Sequence, residues 1–347
     1  MSYQREFENK IRLGVVGVGS HCYRNILPTL HYLPVDLVAV CDINEELGKA
    51  TAKEYGCKFY TGTQEMYKEE KLDAVVICVS PQLHPRLACE AFDAGLHVWL
   101  EKPPAMRVEE VEDMIAHRKD KVAVVGFKKM FMPGATKAKE IATSEKYGNP
   151  ISILATYPMT IPLDGKKILE ERTFTNWLGN ACHPLSFMLH IGGKVNAVTT
   201  FRNKTEGGEG GILVLEFANG IIGNFHFASG PAINESYRVF GKTWNLYVDN
   251  SLKITLQRGV PSVYGKTTGY APEGDDTGSV VWEPQNCVAT LENKAIFTQG
   301  MFFELQHFCD CVLSGEQATL GTLEFTKELM KVYEAALISS GDRVEII

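Results

Sequence analysis

The sequence predicts an α/β fold in two parts: a doubly wound parallel sheet, then an α+β part with a large open, mostly antiparallel sheet. Three observations carry this. Over the first third, short runs apolar on consecutive residues alternate with helical patterns, as in parallel strands buried on both faces. A Gly-x-Gly turn, Gly17 and Gly19, follows the first of these runs. After Gly126 the rhythm changes to β-rich runs joined by short turn signals, the pattern of an antiparallel sheet.

In order, strands are expected at Ile11–Val16, Leu37–Cys41, Ala74–Val79, His97–Leu100 and Val122–Val125. Helices are expected between them over Tyr23–Tyr32, Glu45–Tyr55, Leu83–Ala94 and Val108–His117, the third stopped by Gly95. A further helix, Ala135–Ser144, ends before Gly148-Asn149-Pro150. Strands then fall at Ile151–Tyr157, Asn196–Phe201, Gly211–Phe217, Ile221–Phe227, Tyr237–Phe240, Asn245–Val248 and Leu252–Leu256, with Asn219-Gly220 as a hairpin turn. Pro261–Pro284, dense in Gly, Pro, Asp and Thr, reads as a long loop. Helices at Met301–Leu313 and Leu323–Ser339 close the chain. A length of 347 residues fits two domains, 1–126 and 127–347.

Composition excludes several classes. Hydrophobic residues at 45% and charged residues at 22% are ordinary globular values. A formal charge of -7 argues against nucleic acid or an anionic membrane as partner. The nine cysteines lack any CxxC pair and sit largely in apolar runs, so they read as small buried hydrophobes in a reducing compartment, with no metal site. The charged start MSYQREFENK is no signal peptide, and no apolar stretch approaches the roughly 20 residues that span a bilayer. A cytoplasmic protein is expected.

Gly17-x-Gly19 permits a tight turn and close approach to a pyrophosphate, and the following helix offers its N-terminal amides. Cys22 stands where the third glycine of this fingerprint packs helix on strand. Asp42, 23 residues after Gly19, ends the next strand. It is either a helix-capping residue or an acceptor for the adenosine ribose hydroxyls, and it would repel a 2′-phosphate. Since Ile43-Asn44 places no arginine beside it, NAD is expected rather than NADP.

A second signal lies at Glu101-Lys102-Pro103, after the strand ending in Leu100, where open α/β sheets bind ligands. Taken alone, the tripeptide is as readily a solvated pair before a turn. With the preceding residues it reads SPQLHPRLACEAFDAGLHVWLEKP, and this closely resembles the glucose–fructose oxidoreductase and inositol dehydrogenase (Gfo/Idh/MocA) family of nicotinamide-dependent sugar and polyol oxidoreductases. The likeness continues through Val124-Val125-Gly126-Phe127-Lys128-Lys129-Met130-Phe131-Met132-Pro133. The resemblance implies a Rossmann NAD-binding domain, then a substrate-binding and oligomerisation domain whose open sheet supports homodimers or homotetramers. It implies that Gly17, Gly19, Ser20 and His21 touch the pyrophosphate and Asp42 the adenosine ribose. It also implies that Ser80, Pro81 and His84 line the nicotinamide-side ribose with Glu101 nearby, and that Lys102 stands beside nicotinamide and substrate.

Family members that oxidise sugars carry a second-domain His flanked by Asp four before and three after. His183 fits, but those positions hold Gly179 and Ser186. Lys102 and His183 are therefore expected to handle the hydroxyl proton of a sugar or polyol without a carboxylate, His183 being oriented by Asn180 or Ser186. His183 is otherwise a packed residue at a helix start, with Pro184 in the first turn. Tyr157, Asp164, Lys166, Arg172 and Trp177 are further candidates for recognition, Asp164-Gly165 reading better as a turn. Two alternatives to net hydride transfer stay open: redox-assisted elimination or hydrolysis with retained NAD, and a non-catalytic NAD-binding sensor or subunit.

Overall fold

The computed structural model describes residues 6–230, 235–259, 264–266, 278–284 and 294–346. The chain forms two compact units, Met1–Lys128 with Asn293–Met330, and Lys129–Glu292 with Lys331–Ile347. The sequence suggested one continuous C-terminal domain; here a stretch near the C-terminus joins the N-terminal unit instead.

In the N-terminal unit, β1 (Ile11–Val16), β2 (Val35–Cys41), β3 (Lys58–Tyr60), β4 (Ala74–Ile77), β5 (His97–Leu100) and β6 (Ala123–Val125) form one sheet in the order β3-β2-β1-β4-β5-β6. Every pairing is parallel. The order reverses between β1 and β4, the switch point of a doubly wound sheet, and ligands bind there beyond the carboxyl ends of the strands. All four β4 residues are buried, as a strand covered on both faces requires. Strand β3 and the helix Thr63–Glu69 were missed, because three residues beginning with an exposed lysine carry no readable period. The expected helix Tyr23–Tyr32 is shorter and irregular: a wide turn over Cys22–Ile26 tightens into α-helix over Leu27–Leu30. The returning segment is tied on by Val125 N–H donating to the Gly321 carbonyl at 2.7 Å and by a two-bond Arg118–Glu324 pair.

In the second unit, β7 (Ser152–Pro158), β8 (Val195–Thr205), β9 (Gly208–Phe217), β10 (Ile222–Ala228), β11 (Ser236–Phe240), β12 (Trp244–Asp249), β13 (Lys253–Arg258), β14 (Ser279–Trp282) and β15 (Val344–Glu345) form a sheet ordered β14-β13-β12-β11-β7-β10-β9-β8-β15. Only the β7–β10 pairing is parallel among the described strands. Asn219-Gly220 closes the β9–β10 hairpin, with Gly220 at φ +87. The tail of the expected loop Pro261–Pro284 is strand β14; much of the rest of that loop, and Cys287, lie outside the described residues. Helix Asn176–Gly192 packs on β7 and β10. It begins well before Pro184, capped by Thr175, whose side chain accepts from Leu178 N–H at 3.2 Å. Pro184 therefore lies inside the helix, where it withholds the amide that would reach the Asn180 carbonyl. The apolar face of this helix overrode the proline.

Candidate functional site

The carboxyl ends of β1, β2 and β4 open onto a cavity of about 610 Å³ that includes Gly17, Gly19, Asp42, Ser80, Leu83 and Arg86 in its lining. Gly17 sits at φ +86, and a Cβ there would lie 2.4 Å from the Cys78 carbonyl oxygen. A Cβ on Gly19 would meet nothing within 4 Å. The first glycine thus makes the turn and the second leaves open space beside the backbone, as a dinucleotide phosphate requires. Cys22 is fully buried, so a small thiol fills the third fingerprint position. Asp42 holds the turn: its carboxylate accepts from Val18 N–H and from Asn44 N–H, each at 2.8 Å. It also lines the cavity, and it is not the cap of the next helix: that role falls to Asn44, whose side chain accepts from Leu47 N–H at 3.1 Å.

Helix Thr63–Glu69 and the adjoining turn add Thr63 and Gln64 to the same lining, and helix His84–Asp93 adds Arg86. None was foreseen. A helical pattern shows which face is apolar but not which cavity its polar face meets. No arginine adjoins Asp42 in sequence, but Arg86 lines the same cavity and is paired there to Glu90 at 2.5 Å.

A second cavity, of about 300 Å³, is lined by Ser20, His21, Cys78, Glu101 and Lys102 among others. His21 Nε2 lies 3.3 Å from Glu101 Oε1, and its Nδ1 is 3.2 Å from Asn25 Nδ2. Burial, then the charges of Lys102, Lys128 and Arg24, lower the His21 pKa to about 4, so the ring is neutral at pH 7. Burial raises the Glu101 carboxyl to about 7, against the opposing pull of Lys102 and Lys128. Ser80 is exposed at the cavity rim. Pro81 and His84 are buried behind it, and neither is among the residues facing either cavity. His84 instead pins two turns together. Its Nε2 accepts from Val79 N–H at 3.3 Å, and its Nδ1 lies 2.8 Å from the Pro103 carbonyl, to which it donates. Burial lowers its pKa to about 4.

In the second unit, His183 lies buried on helix Asn176–Gly192, its ring centroid 6.0 Å from that of Tyr157 on β7. Neither expected neutral partner orients the imidazole. Asn180 bonds to Asn176, and the buried Ser186 hydroxyl donates to the His183 main-chain carbonyl at 3.0 Å. Beside Gly179, an added Cβ would lie 3.0 Å from Phe174, so an aromatic ring borders the position of the missing carboxylate. Trp177 is core: fully buried, it stacks with Phe225 and Tyr333 and donates to the Tyr333 carbonyl. Asp164 is exposed and precedes helix Gly165–Glu171; Lys166 and Arg172 are exposed too. His190, two turns beyond His183, is neutral at pH 7, burial lowering it to about 4. Among the described residues no three His, Cys, Asp or Glu side chains gather in a metal-binding group, and no helix is long and apolar enough to cross a membrane.

Comparison with known proteins agrees with this geometry. Residues 11–128 match the profile of the Gfo/Idh/MocA oxidoreductase family, NAD-binding Rossmann fold. The chain is 25% identical over 268 residues to myo-inositol 2-dehydrogenase of Thermotoga maritima, which covers 71% of this chain and 77% of that protein. Over 150 residues it is 30% identical to D-glucoside 3-dehydrogenase of Escherichia coli, 40% of each. Against Salmonella typhimurium inositol 2-dehydrogenase, the match spans 65% of that protein. An Agrobacterium radiobacter oxidoreductase solved with NAD+, L-tartaric acid and magnesium has the same fold, with TM-score 0.78 at 14% identity over 97% of this chain and 99% of that one.

Proposed function

The chain belongs to the Gfo/Idh/MocA family of NAD-binding oxidoreductases, its match to the family profile falling on residues 11–128, and we propose that it transfers hydride between NAD(H) and a carbinol carbon of a sugar, cyclitol or related polyol. The observation that carries this is the convergence, within one unit, of the glycine turn, Asp42 and the Glu101-Lys102 turn on the two cavities at the carboxyl ends of a single sheet. The sugar and cyclitol dehydrogenases among its relatives support the substrate class.

Gly17, Gly19, Ser20 and His21 would hold the pyrophosphate, His21 as a neutral hydrogen-bonding ring. Asp42, already fixed by two backbone amides, would accept the adenosine ribose hydroxyls. Ser80 would meet the second ribose, with Pro81 and His84 shaping its turn from behind. Bound nicotinamide supplies or takes the hydride. Lys102 would hydrogen-bond the substrate hydroxyl and steer its proton, and His183 is the second candidate to handle that proton. NAD is preferred to NADP because Asp42 would face a 2′-phosphate and Arg86 is occupied by Glu90. We place the enzyme in the cytoplasm as a homodimer or homotetramer. Phe201 and Ile212, paired across β8 and β9 and both exposed, support a sheet face that self-associates.

Reduction of added NAD by a panel of sugars and cyclitols tests the assignment, together with Lys102→Met and His183→Ala. Each substitution is expected to lower turnover at least about 10²-fold. An unchanged rate in either removes that residue's role. Phe174 at Gly179 and the engaged Ser186 favour a second reading, in which NAD stays bound and oxidation only enables elimination or hydrolysis. Product without net NADH identifies that reaction. Tight NAD binding with neither outcome over the whole panel identifies a cofactor-binding subunit.

A further inference from the structure

One buried acid of the N-terminal unit has no place in this scheme. Glu304 lies in the first turn of helix Met301–Ser314, which packs against β1, β5 and β6. Glu101 and Lys102 directly follow β5, and Lys128 lies just past β6. Glu304 is wholly out of water, and neither of its carboxyl oxygens has a hydrogen-bond partner. Glu101 Oε2 is likewise buried and unpartnered, while Oε1 faces His21.

An ionised carboxylate with two bare oxygens in the interior is costly, and two buried carboxyls close together do not both ionise readily. A protonated acid is the affordable state. Burial, reinforced by the charge of Glu101, outweighs the opposing pull of Lys128 and Lys102 and holds the Glu304 carboxyl well above its ordinary range. Glu101 feels the same two lysines and the neutral His21, and titrates first.

We propose that Glu101 and Glu304 form one buried carboxyl pair that retains a proton at neutral pH, with Glu304 a positioning residue that keeps a single negative charge beside Lys102 and His21. With Glu304 neutral, Lys102 faces one carboxylate rather than two and is less tightly held. A single carboxylate charge then acts on Lys102 when it meets a substrate hydroxyl. Only this last consequence rests on the dehydrogenase reading; the protonation state does not.

Infrared titration of the full chain tests the pair directly. At about pH 8.5, where Glu101 is ionised, the wild type should still show the carbonyl band of a protonated carboxylic acid, and Glu304→Gln should lack it. In Glu101→Gln the band should disappear on titration about one pH unit lower than in the wild type, because the opposing charge is gone. A wild type without the band at that pH, a band that survives in Glu304→Gln, or an unshifted midpoint in Glu101→Gln overturns the proposal. If the sugar panel yields turnover, the alkaline limb of its pH profile should move in Glu304→Gln, and an unmoved limb overturns the positioning role. If no substrate turns over, the infrared result still decides the pair, so failure of one reading is separable from failure of the other.

Discussion

At the residue scale, His84 shows how a side chain beside a cofactor site can serve it without facing the ligand. Its ring joins the turn after β4 to the Pro103 carbonyl, and both nitrogens are used. The sign of its pH effect follows from burial. The folded ring is protonated only near pH 4, the unfolded ring near the ordinary 6.5, so acidification through that interval favours the unfolded chain. The stability margin of the wild type over His84→Gln is therefore expected to shrink between pH 6.5 and 4, by about 3 kcal/mol. Urea unfolding of both proteins at the two ends of the interval measures it. A constant margin would mean that the ring is not a neutral buried pin. From sequence, SPQLHP could be matched to a family, but a ring nitrogen bonding 19 residues away is not a local property.

At the element scale, helix Asn176–Gly192 and strands β7 and β11 show why the second unit was harder to read. The apolar periods located β7 to β13 to within a few residues, but not β14 or β15. What those strands bury could not be read from them. Lys129, in the segment that resembles the family's entry to the second domain, donates to Glu235 Oε2 at 2.5 Å, and both are buried. The other oxygen of Glu235 accepts from Tyr237 at 2.8 Å and Ser251 at 2.9 Å. Hydrogen bonds thus satisfy this carboxylate, in contrast to Glu304. Removing one partner leaves a buried charge, so Lys129→Met is expected to lower unfolding stability by about 3–5 kcal/mol. In a Lys129→Met/Glu235→Gln double variant, most of that loss should be recovered, because no charge remains. Thermal or urea unfolding of the three proteins checks this, and additive losses would sink it.

At the scale of the whole molecule, the N-terminal unit is assembled from two distant stretches. Phe127 meets Phe325 edge to ring, and Lys327 pairs with Glu112, in addition to the Gly321 and Glu324 contacts. A fragment ending at Lys128 is expected to unfold without a cooperative transition. The same fragment joined by a flexible linker to 293–330 should regain the transition and bind NAD, which calorimetry with and without the dinucleotide would show. Equal behaviour of the two fragments would refute the dependence. By itself the sequence determined the parallel sheet, the glycine turn, the acidic residue after β2 and the Glu101-Lys102 turn, because these rest on period, backbone freedom and chain neighbours. Tertiary structure alone decided that Arg86 shares a cavity with Asp42, that Trp177 is core, that Ser186 turns to a carbonyl, and that Glu304 is buried in the same unit as Glu101, about two hundred residues from it in sequence. Contacts between remote segments are chosen by how apolar faces pack and how buried polar atoms are satisfied, and no local pattern encodes that choice.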